Sequence, residues 1–304
     1  MTMDLSDTNA SQVASALLRA RREAGSPTMG MVLSLIVVTD EGNYYDSLKA
    51  ANTVSKEHPA RTLGVVRRTG RGTSRLDAEV KIGDGGSGEA VLLRMSGELT
   101  KHPESVVLPL LLPDSPVVAW WPAKAPDNVG EDALGALAQR RITDSAFAPR
   151  GKSSALLTQA LNYSDGNTDL AWTRLTHWRA LLAAALDQYT GKVRSAEVVS
   201  ERISPSADLL AAWLRSRLKI EVTRSSSKGP GITLVRMPTA DGDIAISRPD
   251  GKLAQFTIPG QPDRPVALKR RETAELLAEE LRRLDPDDIY AQTVKVLATA
   301  SRDR

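Results

Sequence analysis

The 304-residue sequence predicts a mixed α/β (α+β) fold in two domains, an N-terminal mixed α/β sheet domain (residues 1–150) and a C-terminal domain of helices and β-hairpins (residues 151–304). Three observations predict it. The length exceeds the roughly 100 to 200 residues that one compact core usually serves. An apolar, β-branched run at residues 31–38 is typical of a strand buried on both faces. Asp-Gly pairs late in the chain indicate hairpin turns, because glycine tolerates positive φ.

The N-terminal domain is predicted to open with an amphipathic helix over residues 11–24, followed by the buried strand. A helix over residues 44–57 and a strand over residues 62–66 then complete a βαβ unit. Strict alternation of apolar and charged residues at 76–82, followed by an apolar run at 91–93, predicts a hairpin with one face in water.

The rest of this domain is predicted to hold a strand over residues 117–120, a helix over 130–139 and a brief strand at 142–143. In the C-terminal domain, apolar residues at helical spacing predict one long helix over residues 167–189. Ser204 and Pro205 suit the N-cap and first position of another helix. The remaining predicted elements are strands at 197–203, 220–223, 232–237, 244–247 and 255–258, a helix at 273–284, and a final helix beginning at 285–288 with proline at its first position.

Composition excludes several classes of function. The chain has no cysteine, so it forms neither a disulfide nor a thiolate zinc site. His58, His102 and His177 lie far apart in sequence, in no metal-binding motif, so we predict no metal, no cofactor and no catalytic set. A net charge of +3 over this length makes no case for nucleic acid or an anionic membrane. No apolar run approaches the roughly 18 residues of a membrane span, and we expect a cytoplasmic protein that is not an enzyme.

Two motifs invite a phosphate-binding interpretation. Residues 83–88 satisfy G-x-G-x-x-G, but a strand rather than a helix is predicted to follow, so a hairpin loop is the better interpretation. Five arginines, at positions 61, 67, 68, 71 and 75, lie in a stretch without acidic residues. They suit either a solvated loop or a patch for phosphate or an acidic partner, and the absence of aromatic residues there argues against nucleic acid.

The adjacent tryptophans Trp120 and Trp121 are the first candidate site residues. Adjacent strand residues point to opposite faces, so we expect one of the two near a surface at the carboxyl end of its strand, where α/β sheets form crevices. Arg140, Arg141 and Asp144 are predicted at the following strand. An Arg–Asp pair between a helix and the sheet is the structural alternative to partner binding.

A second concentration of candidates comprises Arg174, Trp178 and Arg179, with Asp169 and Trp172 close by in sequence. Trp178 falls on the apolar stripe of the predicted helix, which favours a core position. Arg174 and Arg179 flank it and suit either bidentate contacts with carboxylate or phosphate, or local pairing on the helix surface.

Several short strings resemble the glucose-6-phosphate dehydrogenase assembly protein family, OpcA. The strings are TMG (28–30), EHP (57–59), LPLL (108–111), DSPVVAWWP (114–122), RRITDS (140–145), DLAWTRL (169–175) and WR (178–179). The resemblance runs from about residue 29 into the C-terminal domain. Because cysteine-linked regulation in cyanobacterial relatives has no counterpart here, it points to a member of the actinobacterial type.

The resemblance implies a non-catalytic assembly or allosteric protein that binds glucose-6-phosphate dehydrogenase, in a possible hetero-oligomer, and promotes its oligomerisation or activity. It implies no catalytic residues. On that interpretation the tryptophans and arginines named above are partner-binding or architectural residues. The alternative is a phosphosugar-binding or phosphosugar-processing enzyme, with a crevice above Trp121 and Arg141, Arg174 or Arg179 as phosphate ligands.

Overall fold

A computed structural model describes residues 1–24, 30–68, 73–82 and 88–302. It divides the chain into two compact units, Met1–Asp144 with Thr273–Pro286, and Ser145–Glu272 with Asp287–Arg304. Each unit contains a β-sheet and helices, which confirms the predicted fold class. The first unit ends at Asp144 and also takes in residues 273–286, whereas the predicted boundary lies after residue 150.

The strands of the described residues are β1 (Thr2–Leu5), β2 (Leu33–Thr39), β3 (Ala60–Arg67), β4 (Arg75–Ile82), β5 (Glu89–Ser96), β6 (Val117–Trp121), β7 (Arg140–Thr143), β8 (Asn167–Asp169), β9 (Ser195–Glu201), β10 (Glu221–Ser227), β11 (Ile232–Thr239), β12 (Gly242–Ser247), β13 (Leu253–Thr257) and β14 (Arg264–Ala267). The helices are α1 (Ala10–Ala24), α2 (Tyr44–Val54), α3 (Glu104–Val107), α4 (Lys152–Leu161), α5 (Leu170–Thr173), α6 (Thr176–Gln188), α7 (Pro205–Leu218), α8 (Thr273–Arg282) and α9 (Asp288–Arg302).

The first unit orders its strands β1-β4-β5-β3-β2-β6-β7, with parallel pairing from β5 through β7 and antiparallel pairing of β4 with β1 and β5. Val13 and Leu17 of α1 share a core with Ile36 and Leu63 on one face. On the other face, α2 approaches so closely that a Cβ on Gly64 would lie 2.8 Å from a methyl carbon of Leu48. Helices therefore cover both faces, which explains why β2 and β3 are apolar along their whole length.

A cluster of three charged groups links β3 and β5, in the interior of this sheet, to α1. Glu89, at the start of β5, is 6% exposed and accepts hydrogen bonds from Arg21 of α1 and from Arg61 of β3. Arg61 Nη1 also donates to the carbonyl of Leu110 at 2.6 Å. Burial lowers the pKa of Arg61, while the Glu89 carboxylate acts in the opposite direction. The Glu89 carboxylate is thus the counter-charge that both arginines contact.

The second unit contains a sheet of order β10-β9-β11-β12-β13-β14, in which only β9 and β10 pair in parallel. Its helices pack on one face, where Leu182 and Leu210 share a core with Val198, Val235 and Ile246. The hairpins predicted at the Asp-Gly pairs are present, since β11 pairs with β12 and β12 with β13. Ser204 caps α7 by accepting the N–H of Ala207, as predicted.

Two helix predictions are wrong. Residues 130–139 contain only a 3-10 turn at Gly135–Leu137, because the chain folds so tightly there that a Cβ on Gly135 would lie 1.7 Å from the carbonyl oxygen of Val129. Residues 167–189 form β8, α5 and α6 instead of one helix. Asp169 has extended backbone angles and its side chain accepts the N–H of Ala171, which starts a new helix at that point.

Other differences are smaller. The strands β1 and β14 and the helix α4 were not predicted from the sequence. In the last helix the N-cap is Asp287, whose Oδ1 accepts the N–H groups of Ile289 and Tyr290, so Pro286 precedes the cap and is not the first helical residue. The glycine-rich motif at 83–88 lies, except for its last residue, outside the described residues. Glu89, directly after it, begins β5, so no helix follows the glycines.

Replacing Glu89 by Gln keeps the side chain's shape and removes the charge that the buried guanidinium of Arg61 and the half-buried guanidinium of Arg21 contact. We expect the free energy of unfolding to fall by about 3–5 kcal/mol, because both arginines then lack a counter-charge. The control is Glu98→Gln, the same change at a carboxylate that is 75% exposed beside Lys101, which should leave the unfolding midpoint unchanged. Chemical denaturation of both variants checks this, and equal losses would contradict it.

Candidate functional site

Trp120 and Trp121 lie at the carboxyl end of β6, with their side chains on opposite faces of the sheet. Both are buried, each 1% exposed, so the expectation that one of them lies near a surface is wrong. The reason is that tertiary packing closes both faces of the sheet at the end of β6. Trp121 packs in the core with Leu134, beside Gly135. The Nε1–H of Trp120 has no hydrogen-bond partner among the described residues.

Arg140 links β7 to α8. Its Nη2 donates to Glu280 at 2.6 Å and its Nη1 donates to the carbonyl of Asp285 at 3.1 Å, and both partners of the ion pair are buried. The Arg–Asp pair expected between a helix and the sheet is instead an Arg–Glu pair, which Arg140 makes with Glu280 of α8. Arg141, half-buried, donates to the carbonyl of Ala138 at 2.7 Å, and Asp144 is 1% exposed just after β7.

In the second unit, Trp172 is the centre of an aromatic and charged cluster. The guanidinium of Arg179 lies 3.7 Å from the centroid of the Trp172 ring, and the ring of Tyr290 lies 5.7 Å away. The Trp172 Nε1–H donates to Asp287 Oδ2 at 2.8 Å. Cation–π contact and a charge-assisted hydrogen bond thus fix the indole in one position. Asp287 and Tyr290 are over 100 residues from Trp172, so their contribution could not be found from the sequence.

Arg174 and Trp178 occupy different environments. The Arg174 guanidinium lies 5.4 Å from the ring centroid of Phe147, which is 58% exposed. Trp178 is 3% exposed, a core position as its helical spacing predicted, with Arg248 at 4.9 Å over its ring. Burial lowers the pKa of Arg248 to about 10, with a further contribution from the charge of Arg270. Arg248 donates to the carbonyls of Ile232 and Leu268, so it acts as a buried link between strands.

The basic stretch predicted at residues 61–75 is neutralised in the fold wherever the structure describes it. Each described arginine of the stretch contacts a carboxylate from another part of the chain or from its own strand; the pairs are Arg61–Glu89, Arg67–Asp132, Arg68–Glu41 and Arg75–Asp77. Arg71 lies outside the described residues. The stretch therefore supports the solvated or structural interpretation better than a phosphate site.

The helix N-terminus that follows β2 is also occupied. Asp40 Oδ1 accepts the N–H groups of Gly42 at 2.9 Å and Asn43 at 3.0 Å, just before α2 begins. In α/β sheets that bind dinucleotides, a phosphate occupies the corresponding position. A carboxylate of the chain already meets those N–H groups, which disfavours a second anion there.

The described residues contain no cluster of three or more His, Asp or Glu side chains able to hold a metal ion. In the same part of the chain, none of the helices combines the length and the apolar character needed to cross a bilayer. The histidines remain separate in environment, since His102 and His177 are exposed and His58 is half-buried.

Comparison with known proteins finds two adjoining family matches. Residues 51–160 match the glucose-6-phosphate dehydrogenase subunit N-terminal domain, and residues 165–294 match the C-terminal domain of the same subunit. A curated relative, the putative OxPP cycle protein OpcA of Synechocystis sp., is 27% identical over 139 residues. That alignment covers 43% of this chain and 29% of the relative's length.

Among solved structures, a 3-ketoreductase from Actinomadura kijaniata has a TM-score of 0.47 at 9% identity, covering 89% of this chain and 96% of its own. A D-galactose-1-dehydrogenase from Rhizobium etli has a TM-score of 0.44 at 11% identity, covering 91% of this chain and 96% of its own. Likenesses this distant carry no argument about chemistry.

The fold and the two adjoining matches define a two-unit α/β protein of the assembly-protein class. The chain belongs to the OpcA family of glucose-6-phosphate dehydrogenase assembly proteins. The resemblance drawn from the short strings is therefore confirmed at the level of the family, while the actinobacterial type stays a prediction.

Asp287 joins the Trp172 cluster to α9, and its replacement by Ala tests how much the cluster contributes. We expect the free energy of unfolding to fall by about 2–4 kcal/mol, because both a helix cap and a charge-assisted hydrogen bond to the indole disappear. Asp288→Ala, at the exposed neighbouring position in the first turn, is the matched control and should cost much less. Urea unfolding followed by near-ultraviolet circular dichroism measures both, and indistinguishable variants would show that the cap and indole contacts contribute little.

Proposed function

We propose that this chain is a non-catalytic partner of glucose-6-phosphate dehydrogenase that binds the enzyme in the cytoplasm and promotes its oligomerisation or activity. The observation that carries the proposal is the pair of family matches, which together extend over residues 51–160 and 165–294. The names of both matched domains refer to a subunit of that dehydrogenase, and the curated relative is named for the oxidative pentose phosphate cycle.

The contacts of the candidate residues support a protein that binds a partner through a fixed surface better than one that carries out a reaction. Trp120, Trp121, Arg140 and Trp178 are buried, and their contacts lie within the fold. Such residues hold surfaces in a fixed arrangement, which reduces the ordering cost of binding a partner. Arg174 with Phe147 is the exception, because the exposed ring leaves this pair accessible for direct contact.

An activator of this kind requires a difference in its affinity for two states of the enzyme. A tenfold change in the active fraction corresponds to about 1.4 kcal/mol of coupling free energy. One interface of ordinary size supplies that amount. The proposal therefore needs no ligand and no covalent step on this chain.

The alternative, a phosphosugar-binding enzyme, is less well supported. Its proposed crevice lies above Trp121, but that ring is packed in the core beside Leu134. Arg141 donates to the carbonyl of Ala138, and Arg179 is stacked on Trp172. Thermal stability measured with glucose 6-phosphate, 6-phosphogluconate or NADP distinguishes the two functions, because a bound ligand raises the apparent stability of the folded state.

The proposal predicts that the purified chain and the glucose-6-phosphate dehydrogenase of the same organism form a complex. We expect co-elution in gel filtration with light scattering, and a higher rate of NADP reduction or a larger enzyme oligomer when the chain is present. An unrelated protein at the same concentration controls for non-specific stabilisation. Separate elution together with an unchanged rate and unchanged enzyme mass would contradict the proposal.

A further inference from the structure

The sheet of the second unit is covered by helices on one face only. Along β9, β12 and β13 buried residues alternate with less buried ones, and β11 does the same after a bulge between Ile232 and Leu234. Val198, Val235, Ile246 and Phe256 are therefore buried while their neighbours along each strand are not. Alternation of this kind is typical of a sheet with one face in the core and one face in solvent. All residues of these strands are among those that the structure describes.

The strand register assigns the side chains on the uncovered side, which we call the open face. Its positions are Ser195, Glu197, Val199 and Glu201 of β9, Glu221, Thr223, Ser225 and Ser227 of β10, Leu234, Arg236 and Pro238 of β11, Asp243, Ala245 and Ser247 of β12, Leu253, Gln255 and Thr257 of β13, and Pro265 and Ala267 of β14. None of them is buried.

Most side chains of the open face are short, and they lie on one continuous sheet. Val199 lies opposite Leu234 in the register, so apolar groups occur in the interior of the face. Leu253, 54% exposed, lies opposite Ala267 of the edge strand β14. Six strands spaced by about 4.8 Å and about 20 Å long give an area on the order of 500 Å². That is the larger part of the roughly 800 Å² that each partner contributes to a standard interface.

The charge on this face is one-sided. It carries the four carboxylates of Glu197, Glu201, Glu221 and Asp243 against the one guanidinium of Arg236, a balance of −3 on a chain whose net charge is +3. Arg236 lies 3.2 Å from Glu197 and 3.8 Å from Asp243, so it is already shared between two acids. Glu201 and Glu221 make no ion pair with any described residue.

The negative charge of the open face distinguishes between two possible binding partners, a second copy of the chain and a protein with a basic surface. A second copy of the chain would have to present the same face in a two-fold arrangement, which brings −3 against −3, and like charges across an interface are unfavourable. A partner with basic groups around a flat surface would instead neutralise Glu201 and Glu221 and cover Val199 and Leu234. We propose that the open face is the surface by which the chain docks on a basic patch of the dehydrogenase, an inference that rests on the proposed function.

The test is the charge reversal Glu201→Arg with Glu221→Arg, measured as the affinity for the dehydrogenase by biolayer interferometry at low and high salt. We expect the Kd to rise by about tenfold or more at low salt, and the wild-type complex to weaken with salt more than the variant complex does. The matched control is Asp187→Arg, an exposed acid of α6 away from the sheet, which should bind as the wild type does. Circular dichroism melts establish that each variant is folded.

Leu234→Arg, which places a long charged side chain in the middle of the face, is the second variant and should also weaken binding. Wild-type affinity in both the double charge-reversal variant and Leu234→Arg would overturn the docking surface while leaving the proposed function intact. If the wild-type chain itself does not bind the dehydrogenase, that result contradicts the proposed function, and with it the docking surface that rests on it. Self-association of the wild-type chain in sedimentation that Leu234→Arg abolishes would assign the face to a second copy and overturn the proposal.

Discussion

The one-sided covering of the second sheet is the constraint on which the functional account depends. In the first unit, α1 lies on one face of the sheet and α2 on the other, so the central strands have no free surface. In the second unit the helices share one core with one face of the sheet, and the other face remains accessible across six strands. A protein that acts by contact needs a broad, fixed surface, and a continuous sheet provides one without further ordering.

The charged residues of the chain divide into two groups with different roles. Arg61, Arg140 and Arg248 are buried and bound within the fold, the first two by Glu89 and Glu280 and the third by backbone carbonyls. A buried charge must keep its partners, since removal of one partner leaves the other without compensation. These residues therefore fix the architecture. The acids of the open face, by contrast, remain in water, where they can steer and select a partner.

Much of the fold could be predicted from sequence because its signals are local. The apolar run of β2, the alternation of β4 and the Asp-Gly turns before β12 and β13 each specify an element without reference to the rest of the chain. The helix predicted at residues 130–139 failed because Gly135 is required for a close approach to Val129, a tertiary contact that no local pattern expresses. The extended backbone at Asp169 interrupted the second predicted helix in a similar way.

The candidate site was harder to predict, since burial depends on which faces are covered. The period of β6 placed Trp120 and Trp121 on opposite faces, but only the folded structure shows that both side chains are buried. The ion pairs of the basic stretch join residues up to 65 positions apart, so the sequence alone could not reveal that its arginines are neutralised. The open face had a signal in the sequence, the small and acidic residues at every second position of β9 and β10, but its meaning depends on knowing which side the helices occupy.

The central claim is that this chain works by contact through a surface that its fold leaves uncovered. A cryo-electron microscopy structure of the chain mixed with glucose-6-phosphate dehydrogenase tests this claim most directly. We expect enzyme density against Val199 and Leu234, with basic side chains of the enzyme beside Glu201 and Glu221. Enzyme density elsewhere on the chain, with the open face of the second sheet still in solvent, would contradict it.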